Sequence, residues 1–199
     1  MRGLLVALEG IDGTGKSTQA RRLVEALEAK GRTTRLLREP TDGPHGSELR
    51  RMAREGRTDP QRERALFIAD RREDVEQNIR PALERGEIVV MDRYYFSTVA
   101  YQGARGLDPA ELRAENEAFA PKPDLLAILD LPVDEALRRV NASRDGKVDH
   151  FEEAESLRRV KAIFDAIGDP FALRLDARQS EAAIAEVLLA RIEELLGEG

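Results

Sequence analysis

The sequence predicts an α/β fold, a five-stranded parallel sheet flanked by helices on both faces. Three observations predict it. Apolar runs of strand length recur at 4–8 (LLVAL), 33–37 (TTRLL), 87–91 (EIVVM), 124–131 (DLLAILDL) and 171–176 (FALRLD). Each is followed by a segment with helical features, and parallel neighbours need long crossovers that are usually helical. The runs are too apolar to alternate, which suits strands buried on both sides.

The helices fall at 15–30, 46–55, 60–85, 109–119, 133–143, 152–167 and 180–196. Gly31, Gly56 and Gly86 stand just past three of these ends, where a left-handed residue closes a helix. Pro81 lies inside the third helix, so a kink or break is expected there. The most loop-like interior stretch is SRDGKVD, 143–149. With no internal repeat or low-complexity segment, residues 1–199 read as one domain, long enough to bury a core. The chain has no cysteine, which excludes disulfides and thiolate metal sites. No run of 18 apolar residues and no secretory signal is visible, so a soluble cytoplasmic protein is expected. A net charge of −6 argues against broad attraction to nucleic acid or an anionic membrane, and neither partner is expected.

Residues 10–18, GIDGTGKST, follow the first strand directly. Gly10, Gly15, Lys16 and Ser17 match G-x-x-x-x-G-K-S, the phosphate-binding P-loop, in the strand-then-helix setting the motif needs. The fold class sharpens to a P-loop NTPase fold. Gly10, Ile11, Asp12, Gly13, Thr14, Gly15, Lys16, Ser17 and Thr18 are expected to form a loop that binds a nucleoside triphosphate. Its backbone N–H groups and the helix N-terminus favour phosphate, Lys16 bridges the β- and γ-phosphates, and Ser17 offers an oxygen to Mg²⁺, the expected cofactor. A guanine-reading N-K-x-D is absent, which disfavours a GTPase.

Asp92 and Arg93 follow the strand EIVVM, at a carboxyl end where open α/β sheets place ligands. Asp92 can hold the magnesium or its waters, or cap the next helix; Arg93 can clamp a phosphate with its bidentate fork, or pair with Asp92. On the third helix Ile68, Val75, Ile79, Ala82 and Leu83 share the face that meets the sheet. Phe67 lies about 110° from the centre of that face at roughly 100° per residue, with Arg71 one turn on. A ring beside a guanidinium suits a flat base, and equally a peripheral core residue with a stacked arginine.

These pieces resemble one family. EGIDGTGKST (9–18), REP (38–40), LFIADRREDV (66–75), DRYYFSTVAYQG (92–103), PDLLAILDLPVDEALRR (123–139) and SRDGKVDHFE (143–152) are similar to thymidylate kinases, in the family's order and over almost the whole chain. The resemblance implies an ATP:dTMP phosphotransferase on a five-stranded sheet, with ATP and dTMP as substrates and a homodimer as the assembly. It implies that Phe67 stacks on thymine, Arg71 contacts its exocyclic oxygen, and Arg93 holds the acceptor phosphate. Tyr101 packs beneath the sugar where a 2′-hydroxyl would sit, and Thr98 and Gln102 line the base and sugar pocket. Asp12 addresses the 3′-hydroxyl and nearby magnesium waters, and Glu39 and Pro40 shape the pocket wall.

Gly13 stands where some members of that family carry a catalytic arginine. Members without it draw positive charge from a short lid, here 143–149, which offers Arg144 and Lys147. The expected catalytic set is therefore Lys16, Arg93, Asp12 and Arg144, with Ser17 and Asp92 toward the metal. His150 stands where an arginine is common in the family, and TDGPHG (41–46) departs from the commoner G-G-T. Two rivals remain at this point: another P-loop kinase with a different acceptor, and a nucleotide sensor without turnover.

Overall fold

A computed structural model describes residues 3–56, 59–142 and 150–197. The five strands are β1 (Leu4–Glu9), β2 (Thr34–Arg38), β3 (Ile88–Asp92), β4 (Leu125–Asp130) and β5 (Ala172–Asp176). They form one sheet in the order β2-β3-β1-β4-β5, with every neighbouring pair parallel. Every residue of β1 and β3 is buried, as are five of the six in β4. Since successive side chains point to opposite faces, the central strands are covered on both sides. The edge strands differ from the expectation of uniform burial: β2 leaves Arg35 and Leu36 exposed, because an edge strand has one neighbour instead of two and tolerates charge.

The helices are α1 (Lys16–Ala29), α2 (Pro44–Glu55), α3 (Pro60–Asp74), α4 (Arg80–Glu84), α5 (Tyr95–Gly103), α6 (Pro109–Glu117), α7 (Val133–Asn141), α8 (His150–Asp165) and α9 (Glu181–Leu195). Their starts follow capping chemistry. Asp59 and Asp108 accept backbone N–H bonds from Gln61 and Ala110, each with proline next in the chain, and Ser180 accepts from Ala183, as N-cap residues do. Gly31, Gly56 and Gly86 have positive φ of 77°, 97° and 79°, as expected where glycine follows a helix, but Gly56 has ψ 125° and so leaves α2 in an extended form instead of closing it with a left-handed turn.

The predicted helix 60–85 is interrupted. A wider π-type turn spans Val75–Ile79, and the Arg80 N–H reaches the Val75 carbonyl, five residues back. The added residue loosens the backbone just where Pro81 cannot donate and would crowd the preceding turn. Val75, Ile79 and Ala82 still reach the core, and Leu83 packs against it. The predicted lid, 143–149 with Arg144 and Lys147, and the side chain of His150 lie outside the described residues.

The sheet brings its carboxyl ends level. Asp92, last in β3, lies between Leu8 of β1 and Arg38 of β2, so whatever follows β1, β2 and β3 converges there. Leu126, fully buried in β4, supports that frame. Leu126→Ala is expected to cost about 2–5 kcal/mol, read in urea unfolding as a lower midpoint with unchanged slope.

Candidate active site

The glycines after β1 are required by what surrounds them. Gly10 has φ 134°, and a Cβ there would lie 2.4 Å from the Leu129 carbonyl oxygen of β4. Gly13 has φ 85°, and its Cβ would lie 2.5 Å from the Ala136 carbonyl oxygen of α7. Helix α7 thus presses on the loop so closely that position 13 has no room for a side chain. Thr18 and Gln19 make the first bonds of α1, to the Gly15 carbonyl, which leaves the N–H groups of Lys16 and Ser17 at the open helix end.

Lys16 is buried, and its ammonium donates to the Ile11 carbonyl at 2.7 Å. Burial pushes its pKa down to about 7, with the nearby Arg93 charge acting the same way and Asp12, Glu9 and Asp92 opposing. The Ser17 hydroxyl donates to Asp92 Oδ2 at 2.5 Å, so the two oxygens predicted to face magnesium lie side by side. Among the described residues no group of three or more His, Cys, Asp or Glu is placed to hold a metal. An ion at Ser17 and Asp92 must take its other ligands from water and phosphate, which suits Mg²⁺.

Arg93 is a non-glycine residue with φ 72°, a conformation that costs an L-residue roughly 1–2 kcal/mol. Its N–H bonds the Leu8 carbonyl at 3.1 Å. The next turn is fastened by Glu9, fully buried at the end of β1. Glu9 Oε1 accepts the N–H groups of Tyr94 at 2.8 Å and Ser97 at 3.0 Å, and Oε2 accepts the Ser97 hydroxyl at 2.6 Å. Burial pushes the Glu9 carboxyl up; the Ser97 bond and the Arg93 charge pull it back. The Arg93 fork, so placed, donates to Ser97 Oγ and to Asp12 Oδ1 and lies over the Tyr101 ring, 5.2 Å from its centroid.

From Arg93 a cavity of about 350 Å³ runs back between α2, α3 and α5. Asp12, Phe67, Arg71, Arg93, Thr98, Tyr101 and Gln102, all predicted at the acceptor side, line it together with Glu39 and Pro40. Phe67 is half-buried, whereas Arg71 is 1% exposed. Arg71 does not stack on Phe67; its guanidinium lies over Tyr94, 5.7 Å from the ring centroid. Its partners are Glu39 Oε2, at 2.8 Å from Nε and 2.5 Å from Nη2, Thr98 Oγ1 at 3.0 Å, and Asn116 Oδ1. Glu39 is therefore more than a shaper of the wall, because its Oε2 accepts two N–H groups of the arginine and fixes its direction.

The sequence model for thymidylate kinase matches residues 8–187. The chain belongs to the thymidylate kinase family. The thymidylate kinase of Xanthomonas campestris pv. campestris (strain B100) is 48% identical over 198 residues, covering 96% of this chain and 86% of that protein. That of Desulfotalea psychrophila is 40% identical over 195 residues, covering 98% and 96%. Thymidylate kinases are phosphotransferases, and the fold of this chain, five parallel strands with a P-loop after the first, agrees with that family.

Among the side chains of the site that are not legible in the sequence are Glu9, Arg50, Glu63, Tyr94, Ser97 and Asn116. Arg50 and Glu63 line the cavity, Arg50 donating to the carbonyls of Pro40 and Thr41 at 3.0 and 2.7 Å. Glu9 alone carried a local signal, an acidic residue closing the apolar run LLVAL. The Glu39 carboxyl is raised from 4.5 to about 7, by burial first, with Arg71 opposing. Between those values the folded protein holds a proton that the unfolded chain has released, so the stability contributed by Glu39 falls as pH rises through that window. Glu39→Gln lacks this titration. Urea unfolding at several pH values is expected to show the parent losing ground to Glu39→Gln from pH 4.5 to 7; a constant difference would contradict the shift.

Proposed function

We propose that the protein transfers the γ-phosphoryl group of ATP to the 5′-phosphate of dTMP, giving ADP and dTDP. The reading is carried by Arg93, a strained, pinned guanidinium set between the P-loop and a cavity with an aromatic wall. A cation so placed serves an acceptor that already bears a phosphate, and the family's relatives are named for thymidylate.

In this reading an oxygen of the dTMP phosphate attacks the γ-phosphorus in line. The new O–P bond forms as the bond to the β–γ bridging oxygen breaks, and ADP leaves with that electron pair. The attacking oxygen is already anionic near neutral pH, so no strong general base is needed. Residues 10–18 hold the ATP phosphates, and Lys16 regains a full proton beside them because a polyanion raises an ammonium pKa. Ser17 and Asp92 would hold Mg²⁺ on the protein side, and the bound ion would supply charge neutralisation. Asp12 gives up Arg93 to the incoming phosphate and turns to the sugar 3′-hydroxyl. Phe67 carries the base, Arg71 contacts its exocyclic oxygen, Tyr101 closes the side of a 2′-hydroxyl, and Thr98 and Gln102 complete the wall. Arg144 or Lys147 brings the cation that position 13 lacks, and such a cation can contribute about 10³–10⁵ in rate by analogy with arginine fingers. The active protein is a cytoplasmic homodimer.

A coupled assay of ADP release tests this across dTMP, dUMP, dCMP, UMP, CMP and thymidine. Fastest turnover of dTMP is expected, with thymidine inert. Turnover of thymidine or a ribonucleotide above dTMP would overturn the assignment. Lys16→Ala is expected to lose activity by at least about 10²-fold while its unfolding midpoint stays within the range of a surface change.

A further inference from the structure

Two rungs cross the cavity between α3 and α5. Glu63, Phe67 and Arg71 recur every four residues on α3 and so share a face; Thr98 and Gln102 do the same on α5. Arg71 Nη2 donates to Thr98 Oγ1 at 3.0 Å, and Gln102 Nε2 donates to Glu63 Oε2 at 2.9 Å. Glu63 is 1% exposed and Gln102 fully buried, and both line the cavity beside Phe67.

The second rung fixes an amide. A carboxylate accepts and cannot donate, so only the NH₂ end of Gln102 can face Glu63. Arg105 donates to the same Glu63 oxygen and balances its charge. Gln102 Oε1 is thereby turned away from Glu63, and it is buried without a hydrogen-bond partner. Such an oxygen calls for a donor from outside the chain. The first rung is complementary. Glu39 takes the Nε–H and one Nη2–H of Arg71, Thr98 the other Nη2–H, and Asn116 one Nη1–H, which leaves one of five guanidinium donors. Over Phe67 the spare Arg71 N–H and the Gln102 oxygen thus supply a donor and an acceptor, alongside Glu63 Oε1, Glu39 Oε1 and the Tyr101 hydroxyl, which are also buried without a partner. The 4-carbonyl and adjacent N3–H of thymine or uracil match that pair, whereas the 4-amino group and bare N3 of cytosine reverse it.

We propose that Glu63 is a positioning residue that locks the Gln102 amide with its oxygen toward the base, so that the site selects N3–H pyrimidines over cytosine. The inference rests on the proposed dTMP kinase activity. Its test is kcat and KM for dTMP and dCMP in the parent, Glu63→Gln, Gln102→Ala and the double variant. Glu63→Gln lets the amide turn over and is expected to raise KM for dTMP more than it lowers kcat. The dTMP:dCMP ratio of kcat/KM should fall at least about tenfold. In the Gln102→Ala background the same substitution should add no further loss of that ratio, since the coupling runs through one amide. A ratio unmoved by Glu63→Gln, or an equal fall in both backgrounds, would overturn the proposal. N3-methyl-dTMP gives a reading that needs no Glu63 variant to fold. The parent should bind it far more weakly than dTMP, Gln102→Ala should not distinguish the two, and a penalty that persists in Gln102→Ala would also overturn it. A parent inert toward dTMP would strike the proposed activity instead.

Discussion

The site depends on the grip of one buried carboxylate. Glu9 closes β1 at the middle of the sheet and holds two backbone N–H groups and one hydroxyl of the turn after β3. Those three hydrogen bonds hold the turn in which Arg93 adopts its left-handed backbone, a conformation that costs roughly 1–2 kcal/mol. Relaxing Arg93 to an ordinary conformation would swing its fork away from the P-loop. The strain is therefore confined to the residue whose direction matters most.

Around that fixed point the cavity is built from charges that restrain one another. Arg71 is anchored by Glu39 and flanked by Asp70 and Asp74, all buried. Asp70 accepts the N–H and hydroxyl of Thr41 at 2.8 and 2.6 Å, which ties the segment after β2 to α3. Arg50 then holds the Pro40 and Thr41 carbonyls from α2. This cavity wall is thus held by a network of polar and charged contacts, and under the proposed function donors held in this way discriminate among bases better than mobile ones because less reorganisation follows binding.

Local sequence carried the parts whose chemistry is local. The P-loop glycines, the apolar central strands and the glycines past the helix ends depend on neighbours a few residues away, and each is found in place. The exposure of β2 is not legible locally because edge position is a property of the whole sheet. The interruption of the helix 60–85 was legible in Pro81, but its form as a π-type turn was not. The supporting residues were hidden for one reason: their partners are distant in sequence. Glu9 meets Tyr94, 85 positions on, Glu63 meets Gln102 at 39, and Arg71 meets Asn116 at 45. No window of periodicity or spacing reaches that far, and an isolated Glu or Asn on a helix reads as a solvated side chain.

The central claim is that Arg93, aimed by Glu9, is the seat of the acceptor phosphate. Calorimetric affinities of dTMP and thymidine for the parent and for Arg93→Ala address it directly, since the two ligands differ only in that phosphate. The parent should prefer dTMP by a wide margin, and Arg93→Ala should bind the two nearly alike. An undiminished preference in Arg93→Ala would place the phosphate elsewhere and contradict the account.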